Sequence, residues 1–153
     1  MGTDIHGYVE VVAQPWDKRW TRLMNIEPLV QRHYPTFSKL FGVRRYGSEI
    51  SIACRRGIPE DADPRFFRHL DDGTQEARTP GDDCTWIGYD ELEPTFGQIE
   101  YPESWSVLFK IMTFLNSHYT PEIQEGETVD DYWDDLKIIY RPCYCRLIVW
   151  FDS

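Results

Sequence analysis

Asp4 and His6 stand two residues apart in an opening segment, Asp4-Ile5-His6-Gly7-Tyr8-Val9-Glu10-Val11, in which apolar and polar residues alternate. Alternation at period two is the pattern of a half-buried strand, and it sends Asp4, His6, Tyr8 and Glu10 to one face and Ile5, Val9 and Val11 to the other. A carboxylate beside an imidazole supports two kinds of chemistry. Asp4 can orient His6 as a general base, or the two can share a divalent metal. A mixed nitrogen and oxygen site needs a third ligand, and Asp152 near the end of the chain supplies it if the first and last strands pair. Asp4 and His6 are thus the candidate catalytic residues. Asp4, His6 and Asp152 are the candidate ligands of a manganese, iron or zinc ion.

Arg44-Arg45 and Arg55-Arg56 place four guanidinium groups around one loop of an otherwise acidic chain. The planar fork of arginine matches carboxylate and phosphate, so a local positive pocket would select a small anionic ligand over a long polyanion. Arg44 and Arg56, with Asp61 and Trp86, make up the candidate ligand-binding set. The competing expectation is that these arginines pair with the surplus of Asp and Glu. Together, Asp4, His6, Arg44, Arg56 and Asp152 describe a polar pocket, belonging either to a binding protein or to a metal-assisted hydrolase. A second reading comes from Asp130-Asp131 and Asp134-Asp135 around Tyr132 and Trp133. This acidic patch with aromatic anchors fits an inhibitor or decoy that covers the basic surface of a host protein.

Charge narrows the partners. With 16 Lys and Arg against 26 Asp and Glu the formal charge is -10, which opposes attraction to a phosphate backbone and argues against generic nucleic-acid binding. No apolar run approaches the roughly 20 residues of a membrane span, and no basic, apolar and small-residue succession opens the chain. The expectation is a cytoplasmic protein with no membrane partner. Cys54, Cys84, Cys143 and Cys145 lack the CxxC spacing of zinc ribbons and are expected as free thiols, with Cys143 and Cys145 packed in the core. Motifs for a phosphate-binding loop, a dinucleotide fold, a nucleophile elbow or a zinc protease helix are absent.

The elements that must position these residues suggest a single α+β domain over residues 1–153, mainly an antiparallel sheet with helices packed on it. Arg19 to Met24 is the expected hairpin partner of the first strand. Thr36 to Phe41 carries a short helix ending at Gly42. Asp61 or Asp63 is placed to cap a helix through Phe66, Phe67 and Leu70, and Asp71 to Asp83 reads as a surface loop. Thr85 to Gly88 is strand-like, followed by a turn or short helix that Pro94 curtails. The strongest helix starts at Pro102, with Trp105, Leu108, Ile111, Met112 and Leu115 on one stripe and Val107 and Phe114 widening it. A further helix is expected from Thr128 through Trp133 and Leu136, stopped by Pro142. Cys145 to Asp152 is dense in β-branched and aromatic residues and reads as an interior strand.

The chain resembles a family of uncharacterised phage and bacterial proteins that open with Met-Cys-Asp-Ile-His; here the opening is Met1-Gly2-Thr3-Asp4-Ile5-His6. The resemblance extends through Leu40-Phe41-Gly42-Val43-Arg44, Arg56-Gly57-Ile58-Pro59 with Asp61, Thr85-Trp86-Ile87 with Glu91-Leu92, and the closing Leu147-Ile148-Val149-Trp150-Phe151-Asp152. Thr3 replaces the family's cysteine, and Asp82-Asp83 stands where a His-Ser pair is usual ahead of Trp86. The resemblance implies an accessory protein of phage or prophage type and brings no activity with it.

Overall fold

A computed structural model describes residues 2–44, 51–77, 83–122 and 138–152. Its centre is a four-stranded antiparallel sheet in the order β2-β1-β6-β5, formed by β1 (Asp4–Val11), β2 (Thr21–Asn25), β5 (Thr85–Gly88) and β6 (Cys145–Asp152). The two ends of the chain lie side by side: Asp4 is opposite Asp152, His6 opposite Trp150 and Glu10 opposite Arg146. Gly7 makes that pairing close. A Cβ there would fall 2.3 Å from the carbonyl oxygen of Ile148, so a side chain would push the two central strands apart.

Period two gives the sheet two different faces. Ile5, Val9 and Val11 with Leu147, Val149 and Phe151 join the main core, where Phe37 meets Phe151 edge-on at 5.1 Å between ring centres. This face is covered by α1 (Tyr34–Thr36), which runs on into a π-helical turn over Phe37–Phe41, and by the long helix α3 (Glu103–Tyr119). Gly42, at φ 71°, ends the π turn in the left-handed region that glycine enters without strain. On the other face Ala62, Phe66, Cys84 and Ile148 form a smaller core flanked by Tyr8, Trp86 and Trp150.

The segment that covers this second face also closes the sheet's edges. On β2, the Arg22 N–H donates to Asp63 at 2.8 Å and the Arg22 carbonyl accepts from Arg65 at 3.3 Å. On β5, the Trp86 carbonyl accepts from Arg56 at 3.2 Å and the Cys84 carbonyl from the Gly57 N–H at 2.9 Å. Edge groups satisfied in this way present little template for pairing with another chain.

Three sequence expectations change. The helix expected through Phe66, Phe67 and Leu70 is a single 3-10 turn, Pro64–Phe66, capped by Asp63. The chain then pairs β3 (Phe67–His69) with β4 (Gln75–Ala77), a strand inside what reads as loop. Leu70 is 38% exposed, so no apolar face holds a helix there. Second, α3 turns Phe109 inward while Val107 and Phe114 face solvent, Phe114 at 66% exposure. The short α2 (Tyr89–Leu92) follows β5 as expected. Third, Pro102 is the residue before the first turn of α3 rather than within it. The helix expected from Thr128 to Leu136, Arg45, and the acidic patch at 130–135 lie outside the described residues. All four cysteines are free, with Cys84, Cys143 and Cys145 buried. Among the described residues no helix is long and apolar enough to cross a membrane.

Candidate functional site

The residues expected to form one pocket are distributed over three places. At the end of the sheet where β1 starts and β6 finishes, His6 lies between two carboxylates: Nε2 is 2.6 Å from Asp152 Oδ2, and Nδ1 contacts Glu27 Oε1. Burial acts to lower the pKa of the ring, but the hydrogen bonds and charges of Asp152 and Glu27 outweigh it and hold the value above 6.5. A carboxylate at each ring nitrogen favours the protonated form, in which both nitrogens donate. Asp4 turns to Arg32, accepting from Nη2 at 2.6 Å and Nε at 3.1 Å. Among the described residues no group of three or more His, Cys, Asp or Glu is arranged to hold a metal ion. Asp4, His6 and Asp152 are near neighbours without being a joint ligand set.

This clamp has a pH signature. Because the folded-state pKa of His6 is raised, its stabilisation is complete below about pH 6.5 and is lost as pH rises through the folded value. Partly exposed partners screen the effect, so the melting temperature is expected to fall by about 1–3 °C between about pH 6 and about pH 8.5. His6→Gln should remove that slope. An unchanged slope in the variant would show that other groups produce it.

Arg44 lies on the opposite face of β1. Its Nε donates to the Thr3 hydroxyl at 2.9 Å and its guanidinium stands 5.0 Å from the Tyr34 ring. Thr3 is one residue from Asp4, so the two side chains leave the chain on opposite sides. Arg55 pairs with Asp83 at 2.5 Å.

The third place is a cavity of about 420 Å³ lined by Trp20, Arg56, Asp61, Trp86, Asp90, Glu91, Arg141, Pro142, Cys143 and Arg146. It sits at the other end of β1 and β6, four residues of extended chain beyond His6, or roughly 13 Å. Three of the residues expected to bind a ligand, Arg56, Asp61 and Trp86, are in its wall. Arg56 is fixed by two 2.6 Å bonds to Glu91 and stacks 4.7 Å from the centre of the Trp86 ring. Glu91 is in turn steadied by the Gly88 N–H at 3.3 Å; burial raises its pKa, but the Arg56 hydrogen bond is stronger and lowers it.

Arg146 anchors the floor. Buried at 4% exposure, it donates from Nε to Glu10 Oε1 at 2.8 Å, pairs through Nη1 with Asp61 at 3.0 Å, and lies 4.1 Å over the Trp20 ring. Glu10 is fully buried, and its second oxygen accepts the Asp63 N–H at 2.8 Å. Burial raises the Glu10 pKa, and Arg146 with the Asp63 N–H only partly offsets it. Cys143 in the wall is no ready nucleophile, since burial pushes its thiol up to about 12.

Five buried side-chain polar atoms have no hydrogen-bond partner among the described residues, and three of them are on residues that line this cavity: Trp20 Nε1, Arg141 Nη1 and Arg146 Nη2. All three are N–H donors. An unsatisfied buried donor costs about 1–3 kcal/mol, and the carboxylates in the wall, Asp61, Asp90 and Glu91, leave these three unsatisfied. Arg141 Nη2 donates to the Asp17 carbonyl.

No protein-family model, curated protein sequence or solved structure matches the chain. The chemistry of the cavity therefore carries the functional reading. Trp20, Arg141 and Arg146 are absent from the residues singled out by sequence. One signal pointed to Arg146: once Asp4 is set opposite Asp152, the register places buried Glu10 opposite it. Nothing local marks Trp20 or Arg141.

Proposed function

We propose that the protein binds a small organic anion in the cavity between β5, β6 and the Trp20 segment. The supporting observation is that two guanidinium groups, Arg141 and Arg146, line the cavity beside Trp20, and each of the three residues has a buried N–H without an acceptor. A carboxylate supplies the missing acceptors, and charge-assisted hydrogen bonds from arginine are among the stronger polar contacts a protein makes. Trp20, Trp86 and Pro142 add an apolar wall for the rest of the ligand. At about 420 Å³ the space is in the range of small-molecule sites. The overall charge of -10 disfavours long polyanions, which would meet repulsion outside the cavity.

Titration with benzoate, followed by tryptophan emission, tests this reading because two indoles line the space. The expected result is a saturable change that Arg141→Gln weakens by tenfold or more, as loss of a charged hydrogen bond worth about 1.5–3 kcal/mol requires. A wild-type protein that gives no saturable response, by emission or by calorimetry, would end the proposal.

A further inference from the structure

The charges around the cavity are paired with two exceptions. Arg56 is matched by Glu91 at 2.6 Å and Arg146 by Glu10 and Asp61 at 2.8 and 3.0 Å. Arg141 lines the cavity and makes no salt bridge among the described residues; Nη2 donates to the neutral Asp17 carbonyl and the guanidinium lies 5.9 Å from the centre of the Trp20 ring. Asp90 lines the same cavity and makes no salt bridge among the described residues, although its charge acts on Arg56 in the same wall. It is exposed, one residue before Glu91 in α2, and takes a hydrogen bond from the buried Cys143 thiol.

From this we infer that the ligand is a zwitterion, a monocarboxylate that also carries an ammonium group and an apolar side chain, as an apolar α-amino acid does. The inference rests on the anion-binding reading and specifies its substrate class. The carboxylate meets Arg141, Arg146 and Trp20, the ammonium meets Asp90 at the rim, and the side chain lies against Trp86 and Pro142. A phosphate dianion fits less well. The wall already carries Asp61, Asp90 and Glu91, with Glu10 behind Arg146, and a second negative charge would be placed among them.

Calorimetric titration of the whole protein with L-leucine and L-phenylalanine, their desamino counterparts isocaproate and hydrocinnamate, and phenyl phosphate separates the outcomes. At least one amino acid is expected to bind about tenfold more tightly than its desamino counterpart. Asp90→Asn should bring the two to equal affinity by weakening the amino acid alone. Asp90 is exposed and outside the core, so this variant should fold, and an unchanged melting temperature checks that. Equal wild-type affinities for amino acid and desamino acid would overturn the zwitterion while leaving an anion site. Tightest binding of phenyl phosphate would overturn it as well. If no probe binds, the underlying anion reading fails too.

Discussion

Glu10→Leu is expected to lower the free energy of unfolding by about 3–5 kcal/mol, because it leaves the Arg146 guanidinium buried without its main counter-charge. Only the half-exposed Asp61 would remain opposite it, and the Asp63 N–H would lose its acceptor. For a domain whose whole stability is of the order of 5–15 kcal/mol, this is a severe loss. Combining Glu10→Leu with Arg146→Met should restore most of it, since an apolar pair of similar volume avoids the cost of desolvating two ions. Urea unfolding of the wild type and the three variants makes the comparison. The double variant should fold and fail to bind benzoate, which would separate the role of this pair in the cavity from its role in stability. A single variant less than about 1 kcal/mol below the wild type would show that the pair is not the buried counter-charge described here.

Trp105→Ala should cost about 3–5 kcal/mol, whereas Phe114→Ala should stay within about 0.5 kcal/mol of the wild type. Trp105 is fully buried, packs against Phe37 and Phe109, and donates its indole N–H to the Gln31 carbonyl at 3.0 Å. Its removal opens a cavity and strips a carbonyl of its donor. Phe114 is two-thirds exposed and stacks on the His118 ring. Equal losses from the two substitutions, measured by thermal or urea unfolding, would mean that α3 is rotated from the orientation described.

The contrast between these two aromatic residues shows where pattern reading stops. Trp105, Leu108, Met112 and Leu115 recur at helical spacing, and that periodicity placed α3 correctly along the chain. At about 100° per residue Phe109 lies about 80° from the centre of that stripe and Phe114 about 140°, so the expectation that Phe114 widens it overreached the helical wheel, while Phe109 stands at its border. Phe109 is inward because Tyr101 and Phe96 pack on it, at 4.7 and 5.5 Å between ring centres. Those partners come from the segment that follows α2, whose position no helical wheel contains.

The candidate site divides in the same way. Arg56, Asp61 and Trp86 stand out in the sequence and do line the cavity, but Asp4, His6 and Asp152 form a separate clamp at the far end of the same two strands. Their grouping with Arg56 required the arginine loop to cover the polar end of the paired terminal strands, and Arg56 lies instead at the other end of them. Four residues along an extended strand are too far for side chains to converge on one small ligand.

Alternation and apolar density by themselves determined the strands at both ends of the chain, their inward and outward faces, the main helix and the turn at Gly42. These are local properties, set by backbone geometry and the side chains within a few residues. Tertiary structure alone decided that Glu10 lies buried against Arg146, that Arg44 lies across the sheet from His6, and that Trp20 and Arg141 meet at one cavity. Each depends on which distant segment supplies a partner for a polar group leaving water, and that choice is made by the packing of the whole domain.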